Sequence, residues 1–449
     1  MDRYDLVIIG AGPAGEAAAF EARRRGASVA VIDRDLFGGA CPFFACMPSK
    51  SLLHSAAVHA GGGDYPWPKA SARRDYMIVR EGTDYPDDRH HFKDLQKAGA
   101  TAFRGAARLD GPGRVIVSHD DVEHVLEARA VILAVGSTSK VPDMPGLAEV
   151  PFWTNREATT TRELPESLLI LGAGPTGTEL AQAFARYGVT VTLIVPSPRI
   201  LPRDHPRSSA VVAAALVQDG VTIRTGVRAV AAHAGAGEKG THRFDLDDGS
   251  TVDGAAVLLA IGRDLPLDGL GLESIGVDPS AGRLTPDEQL RIAPGVFVAG
   301  DPAGPEMHTH VSHYEGEMVA RIALGDDVMP DFRAIPRAIY TDPEAASVGL
   351  LLEEAQKRGM QVEELTADLA TSSKGYTAEA QGHVTLVVDR GAGTLAGVFM
   401  AGPGASEAIH AAVLAVKLQT PLSVLADTIH AFPTVARVMG LLFADAARG

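Results

Sequence analysis

Two cysteines, Cys41 and Cys46, are the only ones in 449 residues, and four residues separate them. Structural cysteines tend to be scattered and buried, so an isolated pair at this spacing points to a redox-active dithiol. A short disulfide loop is sterically allowed there. Pro48 suits the first turn of a helix that runs on through Leu52 and Leu53. Cys46 then lies near the positive end of that helix, where a thiolate is favoured.

A second kind of chemistry is written in glycines. Leu6–Gly10 reads as a short buried strand, Gly10-Ala-Gly12-Pro13-Ala14-Gly15 as a turn, Glu16–Arg25 as a helix and Ser28–Asp33 as a strand ending in an acid. A lone Gly-x-Gly-x-x-Gly is weak, but strand, turn, helix, strand and terminal acid in that order describe a dinucleotide-binding unit. The glycines let a pyrophosphate approach free helix N-terminal amides. Asp33, 18 residues after Gly15, stands where a ribose-binding acid belongs. The device recurs as Ser167–Leu171, Gly172-Ala-Gly174-Pro-Thr-Gly177, Thr178–Tyr187 and Val189–Val195. Two such units imply two nucleotide cofactors. In the second, Val195 replaces the acid, and Arg199 and Arg203 are the nearest cations for a 2′-phosphate or are ordinary loop charges.

These groups need a scaffold of a certain size. A chain this long divides into roughly three domains of about 150 residues. Hydrophobic residues make up 46%, with 48 glycines and 28 prolines, the composition of a turn-rich α/β protein. A formal charge of −15 argues against a general nucleic-acid or anionic-membrane surface. No apolar run reaches the roughly 20 residues of a membrane span. The opening Met-Asp-Arg-Tyr-Asp-Leu lacks a signal-peptide pattern, so the expected compartment is the cytoplasm, where a disulfide is more often catalytic than structural.

Between the units, Gly61–Pro68 reads as a loop, Phe92–Ala98 as a helix, and Val115–Ser118 and Val131–Ala134 as strands. Pro142–Pro151 reads as a linker. Val257–Gly262 and Val296–Ala299 are further strands, the latter followed by Gly300-Asp301 and a turn at Pro302–Pro305. From about Asp331 the pattern changes to strands at Ala334–Thr341, His383–Asp389 and Thr394–Met400, with helices at Ser406–Leu418 and Leu422–Thr428.

Taken together the chain resembles the flavin-dependent pyridine nucleotide–disulfide oxidoreductases, the family of dihydrolipoamide dehydrogenase, glutathione reductase and mercuric reductase. The most specific signature is Gly38-Gly39-x-Cys41-x4-Cys46-Met-Pro48-Ser49-Lys50. Both glycine motifs, Val135-Gly136-Ser137, Glu179, Gly300-Asp301, Tyr340-Thr-Asp-Pro-Glu-Ala-Ala-Ser-Val-Gly349 and Gly402-x-x-Ala-Ser-Glu407 extend it over essentially the whole chain. The resemblance implies an α/β fold with two Rossmann-like domains and a C-terminal α+β dimerisation domain. The expected boundaries are 1–150 with 264–330 for FAD, 151–263 for NAD(P) and 331–449 for the interface of a homodimer. It implies FAD held by Gly10, Gly12, Pro13, Ala14, Gly15, Asp33, Gly39, Lys50, Gly136, Asp301, Met307 and His308. It implies NAD(P)H held by Gly172, Gly174, Gly177, Glu179, Gly262 and Arg263, with NAD against NADP unresolved. By the same resemblance Cys46 forms the charge-transfer thiolate, Cys41 exchanges with substrate, and Lys50 lies near the flavin and pairs with Glu179. Lys50 follows Cys46 by one helical turn, where an ammonium lowers a thiol's pKa.

Two departures stand out. The family's reductases end in His-Pro-Thr-x-x-Glu, in which the histidine is the acid/base; here the segment is His430-Ala-Phe432-Pro433-Thr434-Val-Ala-Arg437. Phenylalanine cannot move a proton, and such help is typically worth about 10² to 10⁴ in rate. His430, two residues upstream, would be displaced by roughly 7 Å on an extended segment; it is either a recruited catalytic residue or one at the surface or behind the site that touches no reacting atom. Pro42-Phe43-Phe44-Ala45 between the cysteines is unusually apolar and either shapes a hydrophobic substrate site or packs in the core. His308, His310 and His313 have no acid or thiol ligand placed with them, so no metal is expected, although His308 is a candidate for the missing base.

The leading expectation is an enzyme passing electrons between NAD(P)H, FAD and a small-molecule disulfide or dithiol. The alternatives are a dithiol oxidase using oxygen, a mercuric-type reductase disfavoured by the absence of a C-terminal cysteine pair, and a flavin-bound regulatory protein without turnover.

Overall fold

The computed structural model describes residues 2–304 and 306–449. Pro305, the last residue of the expected Pro302–Pro305 turn, lies outside the described residues. In chain order the elements that carry the site are β1 Asp2–Ile9, α1 Pro13–Arg24, β2 Val29–Asp33, α2 Ala40–Phe44, α3 Cys46–Ala60, α4 Trp67–Met77, α5 Arg89–Lys97, β3 Thr101–Arg104 and β4 Val122–Leu133. There follow β5 Ser167–Leu171, α6 Pro175–Arg186, β6 Thr190–Val195, β7 Ala256–Leu259, β8 Val296–Val298, α7 Thr309–Ala323, α8 Ala405–Lys417 and α9 Val435–Arg448.

The chain forms two compact units. One comprises Met1–Ser51, Ser71–Lys140 and Gly262–Pro330; the other comprises Leu52–Ala70, Val141–Ile261 and Asp331–Gly449.

In the first unit an eight-stranded sheet has β8, β4, β1, β2 and β3 side by side, all parallel. Leu6–Ile9 are buried on both faces, which is why they read as a continuous apolar run and not an alternation. Leu6 pairs with Val29 on one side and Ala130 on the other, so the turn after β1 emerges at the sheet's C-terminal edge. α1 packs on α7 with no side chain between them at Gly316, where a Cβ would overlap the Ala14 carbonyl oxygen. Pro13 starts α1 three residues before the Glu16 expected from sequence, because proline is well suited to a helix's first position.

The second unit holds a five-stranded parallel sheet in which β6, β5 and β7 are adjacent. A three-stranded antiparallel sheet, Ala229–His233, His242–Leu246 and Thr251–Gly254, was not visible in the sequence. Its strands are short and polar on one side. The same unit ends in a five-stranded antiparallel sheet running from Pro336–Ile339 to Val362–Asp368. Val384, Leu386, Val398 and Met400 of that sheet pack in one core with Ile409 and Ala412 of α8 and Val438, Met439, Leu442 and Phe443 of α9. The fold is therefore mixed α/β as the motifs implied.

Candidate active site

Cys41 lies on α2 and Cys46 opens α3, with Ala45 between the helices at φ −127°, ψ −96°. Gly39, at φ 69°, turns the chain into α2. The cysteines carry no disulfide, and the Cys41 thiol hydrogen-bonds to Cys46. That bond first, and burial second, raise the pKa of Cys41 well above its ordinary range. Cys46 Sγ also meets Thr309 Oγ1 at 3.2 Å. Thr309 is the first residue of the 15-residue α7, so two helix N-termini converge on this sulfur. Thr309 escaped the sequence reading because 263 positions separate it from Cys46 and no spacing rule joins them.

Phe43 and Phe44 resolve the ambiguity of the apolar insert. Both are buried in a small core with Leu36 and Ile78, so they anchor the dithiol loop from behind.

The first glycine turn is tightly built. At Gly10, φ 105°, a Cβ would overlap the carbonyl oxygen of Ala134, and at Gly15 it would overlap that of Gly10. Gly12 caps α1 with no side-chain bond to the helix amides. Gly39 faces Gly12 so closely that a Cβ on it would lie 2.7 Å from the Gly12 Cα. Asp33 Oδ2 accepts from Ala11 N at 2.7 Å, and burial raises its pKa. Pro13 and Ala14 continue the turn into α1. The second turn repeats this geometry: a Cβ on Gly172, φ 104°, would overlap the Ala260 carbonyl oxygen, and one on Gly177 that of Gly172, while Gly174 faces open space. Val195 ends β6 buried, and the Arg199 guanidinium donates to the carbonyls of Leu201 at 2.7 Å and Pro202 at 2.9 Å.

A third cluster forms where β4 and β8 end. Gly136 and Gly262 both adopt positive φ, at 64° and 128°. Ser137 Oγ donates to the Asp301 carboxylate, Arg263 Nη2 donates to the Ser137 carbonyl at 2.7 Å, and Arg263 Nε stands 3.6 Å from Asp301. Behind it, Glu315 on α7 is fully buried and accepts from Gly300 N at 2.7 Å. Burial, with Asp301 nearby, pushes its pKa up to about 8. Met307 is exposed. His308 caps α7, contacts Glu306 at 3.1 Å and stacks on His310. Among the described residues, no three His, Cys, Asp or Glu side chains converge as a metal needs.

Lys50 sits one turn after Cys46 on α3. Glu179, buried on α6, accepts from Tyr340 N at 3.0 Å. His430 Nδ1 donates to the Thr428 carbonyl at 2.9 Å, and its ring lies against Gly440 and Phe443 of α9. In the neutral ring this leaves Nε2 as the basic nitrogen. Phe432 is 71% exposed. Thr434 caps α9 by accepting from Arg437 N at 3.0 Å, so Arg437 occupies the third helical position.

The model for pyridine nucleotide-disulphide oxidoreductases matches residues 4–316, and that for their dimerisation domain matches residues 335–442. The chain belongs to this family. It is 33% identical to a dihydrolipoyl dehydrogenase of Thermus scotoductus, over 97% of this chain and 96% of that one. It is 34% identical to a mercuric reductase of Streptomyces lividans, over 98% and 95%. The crystal structure of LpdA from Mycobacterium tuberculosis superposes with a TM-score of 0.86 at 26% identity, covering 100% of this chain and 99% of that one.

This oxidoreductase is thus a flavoprotein enzyme whose family uses FAD and NAD(P)H. Its own residues fit two dinucleotides: both turns are cradles that a Cβ would fill, and both open helices whose first amides no side chain caps. Its C-terminal sheet and helices form the dimerisation domain. No helix among the described residues is long and apolar enough to cross a membrane.

Proposed function

We propose that this enzyme moves electrons between NAD(P)H, FAD and a small-molecule disulfide or dithiol through Cys41 and Cys46. What supports the reading is the closeness of the two thiols, which influence each other's titration, with Cys46 the first residue of α3 and its Sγ 3.2 Å from Thr309 Oγ1 at the start of α7. Bound FAD supplies the two-electron relay. Gly10, Gly12, Gly15, Asp33, Gly39, Gly136, Asp301, Met307 and His308 would hold it, and Gly172, Gly174 and Gly177 would hold the nicotinamide nucleotide. Cys46, at the start of α3 and against the start of α7, is the sulfur on which the helix ends favour a thiolate. Cys41, its proton held first by its bond to Cys46 and then by burial, is the thiol that exchanges with substrate. Lys50 is the cation on the same helical face as Cys46.

The division into residues 1–150 with 264–330, 151–263, and 331–449 belongs to the same reading. So does cytoplasmic operation, where reducing conditions leave an uncommitted dithiol open to turnover.

A second reading is supported by the nucleotide turn. The buried Val195 and the Arg199 guanidinium, engaged with its own loop, leave the second cradle without a ribose-reading acid or a committed phosphate partner. With Phe432 in place of an acid/base, that favours a dithiol oxidase passing electrons to oxygen. Anaerobic titration of the bound flavin with NADH and NADPH separates the two. Rapid bleaching by either supports the first reading; bleaching by dithiols alone replaces it with the second.

A further inference from the structure

The segment Phe37–Phe43, which delivers Cys41, is gripped by α5 at several points. Asp88, just before α5, accepts from Phe37 N at 2.8 Å. Phe92 packs edge-on against Phe37 at 4.9 Å, and Arg104 of β3 covers both rings while pairing with Asp88. His91 lies at the centre. Its ring meets Phe43 edge-on at 5.6 Å and fills the space beside Gly38, φ 95°, where a Cβ would approach it to 2.7 Å. Its Nδ1 is 2.8 Å from Glu16 Oε1, in the first turn of α1. One imidazole therefore touches the glycine-motif helix and both ends of the loop that carries the exchanging thiol.

We infer that His91 is a positioning residue for the dithiol, a charged latch to Glu16 that seats the Gly38–Phe43 loop in its reduced conformation. This rests on the reading of Cys41 and Cys46 as a redox pair. The Glu16 bond is the largest influence on His91 and raises its pKa above the ordinary 6.5, against burial. The other charges facing it are Asp88, just before its helix, and Asp94 within it, with Arg104 neutralising Asp88, and the exposed His90 ring 4.2 Å away. The sign follows: the latch is closed below the raised pKa and opens as pH rises through it. The dithiol is favoured while it is closed.

The test is thiol–disulfide equilibrium of the flavin-loaded protein with dithiothreitol, quenched by alkylation and read by mass. The Cys41–Cys46 disulfide plus dithiothreitol gives the dithiol plus cyclic dithiothreitol disulfide. Two electrons and two protons leave one couple and enter the other, so the equilibrium constant changes with pH only if a neighbouring or reacting group titrates. Wild type should show the dithiol fraction falling above about pH 6.5, with the constant changing by roughly fivefold or more. Glu16→Gln, which keeps the ring in place, and His91→Gln should both lose that component, while His90→Gln keeps it. A variant constant shifted uniformly, with the pH component intact, reduces His91 to packing and overturns the latch. So does a wild-type constant flat across this range. If wild type forms no disulfide at any ratio, the redox-pair reading itself falls and the latch falls with it.

Discussion

At the residue level the sulfurs have different surroundings, and that difference can be measured. Cys46 opens α3 and its Sγ lies 3.2 Å from Thr309 Oγ1 at the start of α7, so it is the sulfur on which negative charge should rest. Cys46→Ser should abolish the long-wavelength absorbance of the partly reduced holoenzyme; a persistent band would assign the thiolate to Cys41. On the reading that Phe432 and Arg437 stand where the family has its acid/base pair, Phe432→His with Arg437→Glu should raise lipoamide reductase turnover by about 10². An unchanged steady-state rate would show that Phe432 does not stand at the acid/base position. The cysteines and glycines were legible in sequence because their chemistry depends on local spacing. Thr309 and Glu315 were not, because each acts through a partner brought near only by the fold; Ser137 was read as part of a turn, but its bond to Asp301 was not. Phe43 and Phe44 looked ambiguous for the same reason: which way an aromatic points is decided by its packing with Leu36 and Ile78, and no spacing rule joins Ile78 to the cysteine motif.

Elements carry the next level of consequence. Strand, turn and helix around each glycine motif could be read from burial and glycine placement, and their ends shifted only by the few residues that proline at a helix start accounts for. Helix α9 was missed because its start, Thr434, looked like part of a departed motif. It is the N-cap, and Arg437 at the third helical position puts a cation where the helix end is already positive. Arg437→Glu alone supplies the acid of a capping box and should stabilise the protein by about 1 kcal/mol, read as a rise in thermal midpoint. A lowered midpoint would mean that the guanidinium has a stabilising role elsewhere.

For the whole molecule, one buried titratable group in each unit gives an expected stability response to pH of opposite sign. In the second, His205 donates from Nε2 to Glu364 at 3.1 Å while His383 meets Ser208 at 2.9 Å, all but Glu364 buried. Burial, reinforced by His205 and Arg207, pushes His383 down to about 3. Its unfolded value is near 6.5, so stability is full above that pH and is lost as pH falls toward 3, at up to about 1.4 kcal/mol per unit. In the first unit Glu315 is raised instead, so its contribution is full below about 4.5 and is lost as pH rises toward 8. Calorimetry at pH 7 and pH 5 should show one transition falling while another rises on acidification. His383→Gln should remove the fall. Transitions that move together would show that other groups dominate.

The burial of Phe43 and Phe44 also bears on laboratory evolution. The four positions between the cysteines are the obvious place to randomise in a search for new acceptors. Truncating either phenylalanine, however, would open a cavity costing about 3–5 kcal/mol, so most members of such a library would be lost to misfolding before their selectivity could be scored. Met47 and Phe432 present exposed side chains on the same motifs. Diversity placed there would vary the surface while leaving the support beneath Cys41 intact.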